Sequence, residues 1–102
     1  TRTGYKGLSM YAATKAALEG FSISVAREWG KRGIRSNTVV PGFMETSMTD
    51  TLSEEERNRI YERTALNEPT AVDSVVETTL FLLSDAARSR TGESIRVDSG
   101  TL

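Results

Sequence analysis

The residues best suited to acid–base chemistry in this sequence are Tyr11 and Lys15. A spacing of four places two side chains on the same face of a helix. A phenol, with an ordinary pKa of about 10, transfers protons poorly at neutral pH, and a neighbouring ammonium favours the phenolate and lowers that pKa. The pair therefore suits proton transfer to or from a substrate oxygen. On the spacing alone, a packed tyrosine beside a solvated lysine is the commoner arrangement.

A second candidate is the Pro41-Gly42 step with residues 43–48. The β-branched residues before it predict a strand that Pro41-Gly42 stops. Open parallel sheets bind ligands beyond the carboxyl ends of their strands. Residues 43–48, among them Met44 and Thr46, combine apolar groups with hydroxyls, which suits a flat heteroaromatic ring that carries a polar group. The alternative is an ordinary turn from strand to loop.

Other polar residues are better explained by structural roles. Residues 54–56 are glutamates at a predicted helix N-terminus, where the helix dipole favours negative charge, so we predict no metal site there. Asp98 follows a predicted strand, and an aspartate in that position is typical of a turn. Asn37 lies inside a predicted strand, where we expect its amide to bond to neighbouring backbone or loop groups.

Composition excludes several further classes of function. The 102 residues include no Cys and no His, which excludes disulfide scaffolds, Cys-ligated zinc and the commonest general base. Thirteen basic and 14 acidic residues give a net charge of −1, which argues against an electrostatic nucleic-acid partner. There is no apolar run long enough to cross a membrane and no signal-peptide pattern. We therefore expect neither a nucleic-acid partner nor a membrane partner.

Helices and strands alternate along the sequence. In chain order, the predicted elements are a loop over residues 1–8, a helix over residues 9–30, a strand over residues 34–40, a helix from residue 53, a helix from residue 70 to about residue 84, and a strand over residues 93–97. Two strands separated by helices imply parallel pairing. The predicted class is therefore α/β, with two parallel strands and about four helices, similar to the last third of a covered parallel sheet.

Short patterns mark the starts of the predicted helices. Ser9 can act as an N-cap, Ser53 and Glu56 form a capping box, and Thr70 with Asp73 repeats that type of start. The first helix also carries an apolar stripe at helical spacing, which comprises Leu18, Phe21, Val25 and Trp29. We interpret this stripe as core or interface and not as a cofactor site.

Together these motifs resemble the C-terminal part of the classical short-chain dehydrogenase/reductase family. The resemblance covers nearly the whole chain. It rests on Tyr-x-x-x-Lys from residue 11, Ile-Arg-x-Asn from residue 34, Pro-Gly-x-x-x-Thr-x-Met from residue 41, and a Thr-Gly and Val-Asp ending. None of these motifs is specific alone, but their order and spacing are. Within the family the sequence is most similar to 3-oxoacyl-carrier-protein reductase-like members. Ser99 departs from the family, which more often has Gly there.

The resemblance implies a Rossmann-type doubly wound parallel sheet and an NAD(P)-dependent oxidoreductase. Such an enzyme transfers hydride between a nicotinamide cofactor and a carbonyl or alcohol substrate, with 3-oxoacyl thioester reduction as one option. Tyr11 matches the catalytic acid/base. Lys15 matches the residue that holds the nicotinamide ribose hydroxyls and lowers the pKa of the tyrosine. An alcohol, sugar or steroid dehydrogenase remains open.

The same resemblance assigns further cofactor-binding residues. Pro41 and Gly42 match the turn beside the nicotinamide. Met44 and Thr46 match positions that contact its carboxamide, the methionine partly through its backbone. The choice between NAD and NADP stays open, because it depends on residues that are not part of this sequence.

The resemblance also implies a small-molecule substrate, and with it we expect a cytoplasmic protein. The helix over residues 9–30 matches a helix used in family dimer interfaces, so we expect a homo-oligomer, either a dimer or a tetramer. Residues 1–102 match the catalytic and substrate-side portion of one Rossmann-type domain. We expect the family's glycine-rich phosphate loop, catalytic Ser and catalytic Asn to precede them. The alternative is an inactive fragment or a self-associating structural module without a cofactor loop.

Overall fold

The computed structural model describes residues 2–46 and 50–101, and only the backbone of residues 2–8. Its elements are α1 (Arg2–Trp29), β1 (Thr38–Pro41), α2 (Glu54–Glu62), α3 (Val72–Leu82) and β2 (Ser94–Val97). Single turns of 3₁₀ helix follow α1 at Gly30–Arg32 and α3 at Asp85–Ala87. The chain forms two compact units, Thr1–Thr38 with Ser89–Ser94 and Val39–Arg88 with Ile95–Leu102. The predicted order of helix, strand, helix, helix and strand is confirmed.

Helix α1 begins earlier than predicted. The expected loop before residue 9 and the Ser9 cap are wrong, because α1 starts at Arg2 and ends at Trp29, not residue 30. Gly4 and Gly7 each cost about 1 kcal/mol relative to Ala in a helix, but extending a long helix avoids the cost of starting one. No helix in the described part of the chain combines the length and apolar character needed to cross a membrane.

In the first unit, α1 buries a narrow face of small residues. Ser22 and Ala26 are buried. The hydroxyl oxygens of Ser22 and Ser36 lie 2.8 Å apart, and Ala26 Cβ approaches Gly92 closely enough to contact any side chain placed there. The larger members of the predicted stripe are more exposed, with Leu18 at 56%, Phe21 at 67% and Trp29 at 43%. Within the described residues these three side chains are therefore not core, and the interface interpretation of the stripe stays a prediction.

The predicted strand over residues 34–40 is too long at its start. Residues 34–37 are not strand, because side-chain bonds to residues 90–93 hold them instead. The amide nitrogen of Asn37 donates to the Arg90 carbonyl oxygen at 3.1 Å, and its amide oxygen accepts from the Glu93 N–H at 3.1 Å. The backbone-bonding role predicted for Asn37 is confirmed.

Strands β1 and β2 form a two-stranded parallel sheet. The Thr38 N–H donates to the Glu93 carbonyl oxygen at 2.8 Å, and the Gly42 N–H donates to the Val97 carbonyl oxygen at 2.9 Å. Residue numbers rise together from the first bond to the second, from 38 to 42 on one strand and from 93 to 97 on the other, so the strands run in the same direction. The α/β class with parallel strands is confirmed, and α2 and α3 lie between the strands in the chain.

Helix α2 begins at the predicted capping box. The Glu56 N–H donates to Ser53 Oγ at 3.1 Å, and the Ser53 N–H donates to a Glu56 carboxylate oxygen at 3.3 Å. The acidic residues 54–56 lie in the first turn, where negative charge stabilises the positive helix end. No residue of α2 is buried, so the glutamates are accounted for by a capped, solvated helix.

Helix α3 does not begin at a capping box. Its N-cap is Ala71, with no side-chain hydrogen bond, and the predicted cap from Thr70 is wrong. Thr70 is instead buried at 4% exposure, and its N–H donates to the Phe43 carbonyl oxygen at 2.7 Å. Tertiary packing of Thr70 therefore replaces the local cap. The helix ends at Leu82, which is buried, as is Ala87 in the 3₁₀ turn after it.

Candidate active site

Helix α1 holds Tyr11 and Lys15 one turn apart, as their spacing predicts. Tyr11 is 61% exposed, so its hydroxyl is accessible to a ligand. Lys15 is half-buried, and its ammonium lies 4.0 Å from a Glu19 carboxylate oxygen. An i,i+4 pair with the lysine first is the weaker orientation, and exposed ion pairs contribute little. The Lys15 ammonium can therefore move from Glu19 to a bound ligand at small cost.

The turn at Pro41-Gly42 is fixed by its neighbours in the second unit. The Gly42 N–H bonds to Val97. A Cβ on Gly42 would lie 2.6 Å from Thr70 Oγ1 and 2.7 Å from Asp98 Cα. Only glycine therefore fits at this position without displacing Thr70 or Asp98.

The loop after Gly42 carries Met44 and Thr46. Met44 is half-buried, and Thr46 is exposed. The loop is held at Phe43, whose carbonyl accepts from Thr70 and whose ring lies 6.1 Å from the Tyr61 ring, tilted by 55°. An apolar side chain and a hydroxyl two residues apart on an anchored loop can contact a heteroaromatic ring and its polar substituent.

A cluster formed by Glu45, Asp50, Arg57 and Tyr61 was not predicted from the sequence. The Tyr61 hydroxyl donates to Glu45, and Arg57 Nη1 lies 3.4 Å from the same Glu45 oxygen. Arg57 Nη2 also lies 4.0 Å from an Asp50 oxygen. The hydrogen bond to Glu45, with partial burial and the Glu45 charge, raises the pKa of Tyr61 against the opposing effect of Arg57. Tyr61 therefore stays protonated as a donor.

The cluster borders an open cavity of about 390 Å³. The cavity is lined by Glu45, Leu52, Glu54, Arg57, Asn58 and Tyr61. Arg57 and Tyr61 are four residues apart on α2, a spacing that predicts a shared helix face. Their partner Glu45 lies 16 residues before Tyr61, so no local pattern connects them.

The residues after β2 form a turn organised by Asp98. Burial pushes the pKa of the Asp98 carboxyl up, but hydrogen bonds from Arg96 and from the Thr101 and Gly100 N–H groups outweigh it. The net result is a pKa below the ordinary aspartate value. Arg96 Nε lies 2.9 Å from Asp98, and the Gly100 nitrogen lies 3.0 Å from it. The turn role predicted for Asp98 is confirmed.

Ser99 adopts a left-handed backbone, with φ at 58°. Glycine adopts this conformation without the steric cost that a Cβ brings. The glycine that the family resemblance leads us to expect here would therefore be free of this cost. The Ser99 hydroxyl donates to the Pro69 carbonyl oxygen at 3.3 Å, which offsets part of the backbone cost.

The predicted site residues fall into two groups. In the first unit, Tyr11 and Lys15 share one face of α1. In the second unit, the end of β1 and the loop after it hold Pro41, Gly42, Met44 and Thr46. Ser47 and Met48, which the sequence also placed in this candidate, lie outside the described residues.

Comparison with known proteins gives consistent matches. A family model described as Enoyl-(Acyl carrier protein) reductase matches residues 1–101. The 3-oxoacyl-(acyl-carrier-protein) reductase FabG of Salmonella typhimurium is 42% identical over 97 residues, which are 95% of this chain and 40% of that protein. The FabG of Aquifex aeolicus is 42% identical over 98 residues, 96% of this chain and 40% of that protein.

A solved structure shares the fold as well. A 4-hydroxyisoleucine dehydrogenase complexed with NADH matches with a TM-score of 0.84 at 31% identity, over 90% of this chain and 39% of that one. The present chain thus spans about 40% of the length of its curated relatives. Its α/β elements are those of the Rossmann-type dehydrogenase fold. The family model, the curated relatives and the shared fold agree, and the chain belongs to the short-chain dehydrogenase/reductase family.

Proposed function

We propose that this chain is the catalytic and substrate-side portion of an NAD(P)-dependent oxidoreductase. The enzyme would transfer hydride between a nicotinamide cofactor and a carbonyl or alcohol substrate. The observation that carries the proposal is the pair Tyr11 and Lys15, one turn apart on α1, with the tyrosine exposed and the lysine only weakly engaged. Relatives that are 3-oxoacyl-(acyl-carrier-protein) reductases favour a 3-oxoacyl thioester as substrate.

The donor groups of these residues fit a nicotinamide nucleotide. The Lys15 ammonium and the Tyr11 hydroxyl can both donate to ribose hydroxyls. Met44 offers apolar contact to a flat ring, and Thr46 offers a hydroxyl to a carboxamide. Pro41 and Gly42 supply a fixed backbone turn before this loop. We propose as cofactor-binding residues, for either NAD or NADP, Tyr11 and Lys15 in the first unit and Pro41, Gly42, Met44 and Thr46 in the second.

The reaction places two tasks on the chain itself. When bound, a nicotinamide cofactor would supply the hydride that reduces the carbonyl carbon. Tyr11 Oη donates its proton to the carbonyl oxygen, so the carbonyl becomes an alcohol, and it takes a proton back in the oxidative direction. Lys15 holds the ribose, and its positive charge stabilises the phenolate that proton transfer leaves on Tyr11.

The test is a substrate panel assayed with the complete protein of which we propose this chain is part. A 3-oxoacyl thioester, an enoyl thioester and a simple ketone are each mixed with NADPH or NADH, and oxidation of the cofactor is followed by absorbance. We expect turnover of the 3-oxoacyl thioester with a 3-hydroxyacyl product. Turnover of the enoyl thioester alone would overturn the substrate class. The function would be overturned if none of the substrates caused oxidation of NADPH or NADH and the protein bound neither cofactor.

The exposed side of α1 supports a proposal of self-association. Its large apolar side chains include Leu18 and Phe21, which are more than half exposed. We propose that copies of the protein associate through this helix as a dimer or tetramer. In sedimentation of the complete protein, Phe21→Asp should shift the oligomer towards monomer, while Arg27→Asp, on an already charged position of α1, should shift it less. A purely structural module would show this association without cofactor turnover.

A further inference from the structure

Side-chain contacts join α2 to the middle of the loop that we propose contacts the nicotinamide. Glu45 stands between Met44 and Thr46. Its carboxylate accepts a hydrogen bond from the Tyr61 hydroxyl and lies 3.4 Å from Arg57 Nη1. Both donors belong to α2 (Glu54–Glu62), so one carboxylate joins the loop to two side chains on one face of a helix.

Tyr61 holds the loop at two points. Its ring contacts Phe43 at a centroid distance of 6.1 Å, and its hydroxyl bonds to Glu45 two residues further along. Gly42 and Phe43 are fixed in turn by bonds to Val97 and Thr70. Because the loop has fixed points at Gly42, Phe43 and Glu45, the peptide groups on either side of Glu45 have few rotations left.

We propose that Glu45 is a positioning residue, whose attachment to Tyr61 and Arg57 sets the orientation of Met44 and Thr46 for cofactor binding. The inference rests on the proposed function, and it concerns residues whose types the motif from residue 41 does not specify. We call Glu45, Arg57 and Tyr61 the α2 clasp. None of the three needs to touch a reacting atom, since their effect passes through the loop backbone.

The chemistry of the clasp suits a fixed attachment. A hydrogen bond from a neutral phenol to a carboxylate is charge-assisted and stronger than one between neutral groups. The Arg57 side chain is about three-quarters buried, so its attraction to Glu45 is screened less than that of a fully exposed pair. Asp50 lies 4.0 Å from Arg57 but is mostly exposed, so this second ion pair contributes little.

The experiment compares Tyr61→Phe, Glu45→Gln and the double variant in the complete protein. Tyr61→Phe removes only the hydroxyl and keeps the ring beside Phe43. Reduced-nicotinamide fluorescence gives the cofactor Kd, and steady-state kinetics separate the cofactor KM from kcat. The matched control is Glu55→Gln, which replaces an exposed carboxylate on the same helix with a carboxamide. Thermal unfolding midpoints show whether each variant is folded.

We expect Tyr61→Phe to weaken cofactor binding about tenfold, the low end of the range for losing one hydrogen bond to a charged group. Glu45→Gln keeps an acceptor oxygen and should weaken cofactor binding less, by about threefold. The rise should appear in Kd and cofactor KM, with kcat changed much less. Tyr61→Phe removes the phenol donor, and Glu45→Gln removes the charge that strengthens this hydrogen bond and attracts Arg57. Because both changes weaken contacts of one carboxylate, the double variant should lose less affinity than the product of the two single losses. Glu55→Gln should match the unmodified protein.

Two results would overturn the inference. One is cofactor binding in Tyr61→Phe and Glu45→Gln that equals that of Glu55→Gln. The other is a double variant whose loss equals the product of the two single losses, which would mean that the two residues act independently. Failure of the unmodified protein to bind any nicotinamide nucleotide would instead count against the proposed function, so the two failures are distinguishable.

Discussion

Thr70 occupies the place that a side chain on Gly42 would need, since a Cβ on Gly42 would lie 2.6 Å from Thr70 Oγ1. Asp98 closes the same space with its own Cβ at 2.8 Å. The backbone of Gly42 is not in the left-handed region, so steric exclusion and not conformational freedom requires glycine here. In the second unit this relationship ties the end of β1 to the segment before α3 and to the end of β2.

Gly42→Ala should therefore destabilise the protein. Overpacking at a tight contact costs roughly 1–3 kcal/mol, and here the neighbouring Asp98 backbone cannot move as easily as a flexible side chain. Urea unfolding of the complete protein measures the loss. Gly30→Ala is the control, because a Cβ at Gly30 would meet nothing within 4 Å. Equal stability of the two variants would contradict the steric account.

The left-handed backbone of Ser99 predicts a difference between two substitutions. Ser99→Ala loses the hydrogen bond to Pro69 and keeps the strained backbone, whereas Ser99→Gly loses the same bond and relieves the strain. The glycine variant should unfold at a higher urea concentration, by about 1 kcal/mol in free energy. If the alanine variant were the more stable, the backbone at residue 99 could not be strained as described.

The lowered pKa of Asp98 should make the free energy of unfolding depend on pH. Its pKa is lowered in the folded protein, so its contribution to stability is present above the ordinary aspartate pKa and is lost as the pH falls through the folded-state pKa. Asp98→Asn should be less stable than the unmodified protein at neutral pH, and the gap should close in acid. Unfolding curves measured from pH 7 downwards check this. A gap that stays constant with pH would contradict the lowered pKa.

Patterns within a few residues of one another could be predicted from the sequence. The Ser53 and Glu56 capping box is such a pattern, because its two hydrogen bonds join residues three positions apart. The role of Asn37 could also be predicted, since a polar side chain inside a strand pattern must find a bond elsewhere. The parallel strand order followed from the alternation of helices and strands.

Features that depend on distant residues could not be predicted. The local sequence predicts that Thr70 caps α3, but Thr70 is instead buried beside Gly42 and does not cap the helix. The bond between Glu45 and Tyr61 spans 16 positions, with no local pattern to indicate it. The early start of α1 could not be predicted, because Gly4 and Gly7 lower the helix propensity of the first residues. In the folded chain these residues extend a long helix, which avoids the cost of nucleating a new one.

Lys15 provides a test of the proposed cofactor contact. Lys15→Met removes the ammonium and should weaken binding of the nicotinamide nucleotide by about tenfold, as expected when a hydrogen bond from a charged group is lost. Lys31→Met, at an exposed position in the 3₁₀ turn after α1, is the matched control and should bind normally. Glu19→Gln should also bind normally, because the Lys15–Glu19 pair is weak. Equal affinity in the Lys15 and Lys31 variants would exclude the contact.

The most direct test of the whole account is the turnover of Tyr11→Phe in the complete protein. The substitution removes one hydroxyl from an exposed side chain and leaves the helix unchanged. We predict that kcat falls by roughly 10²–10⁴-fold, the usual contribution of a general acid. The Kd for the cofactor should rise only about threefold, because one neutral hydrogen bond to the ribose is lost and Lys15 keeps its own contact. Turnover equal to that of the unmodified protein would show that Tyr11 is not the proton donor and would contradict the account.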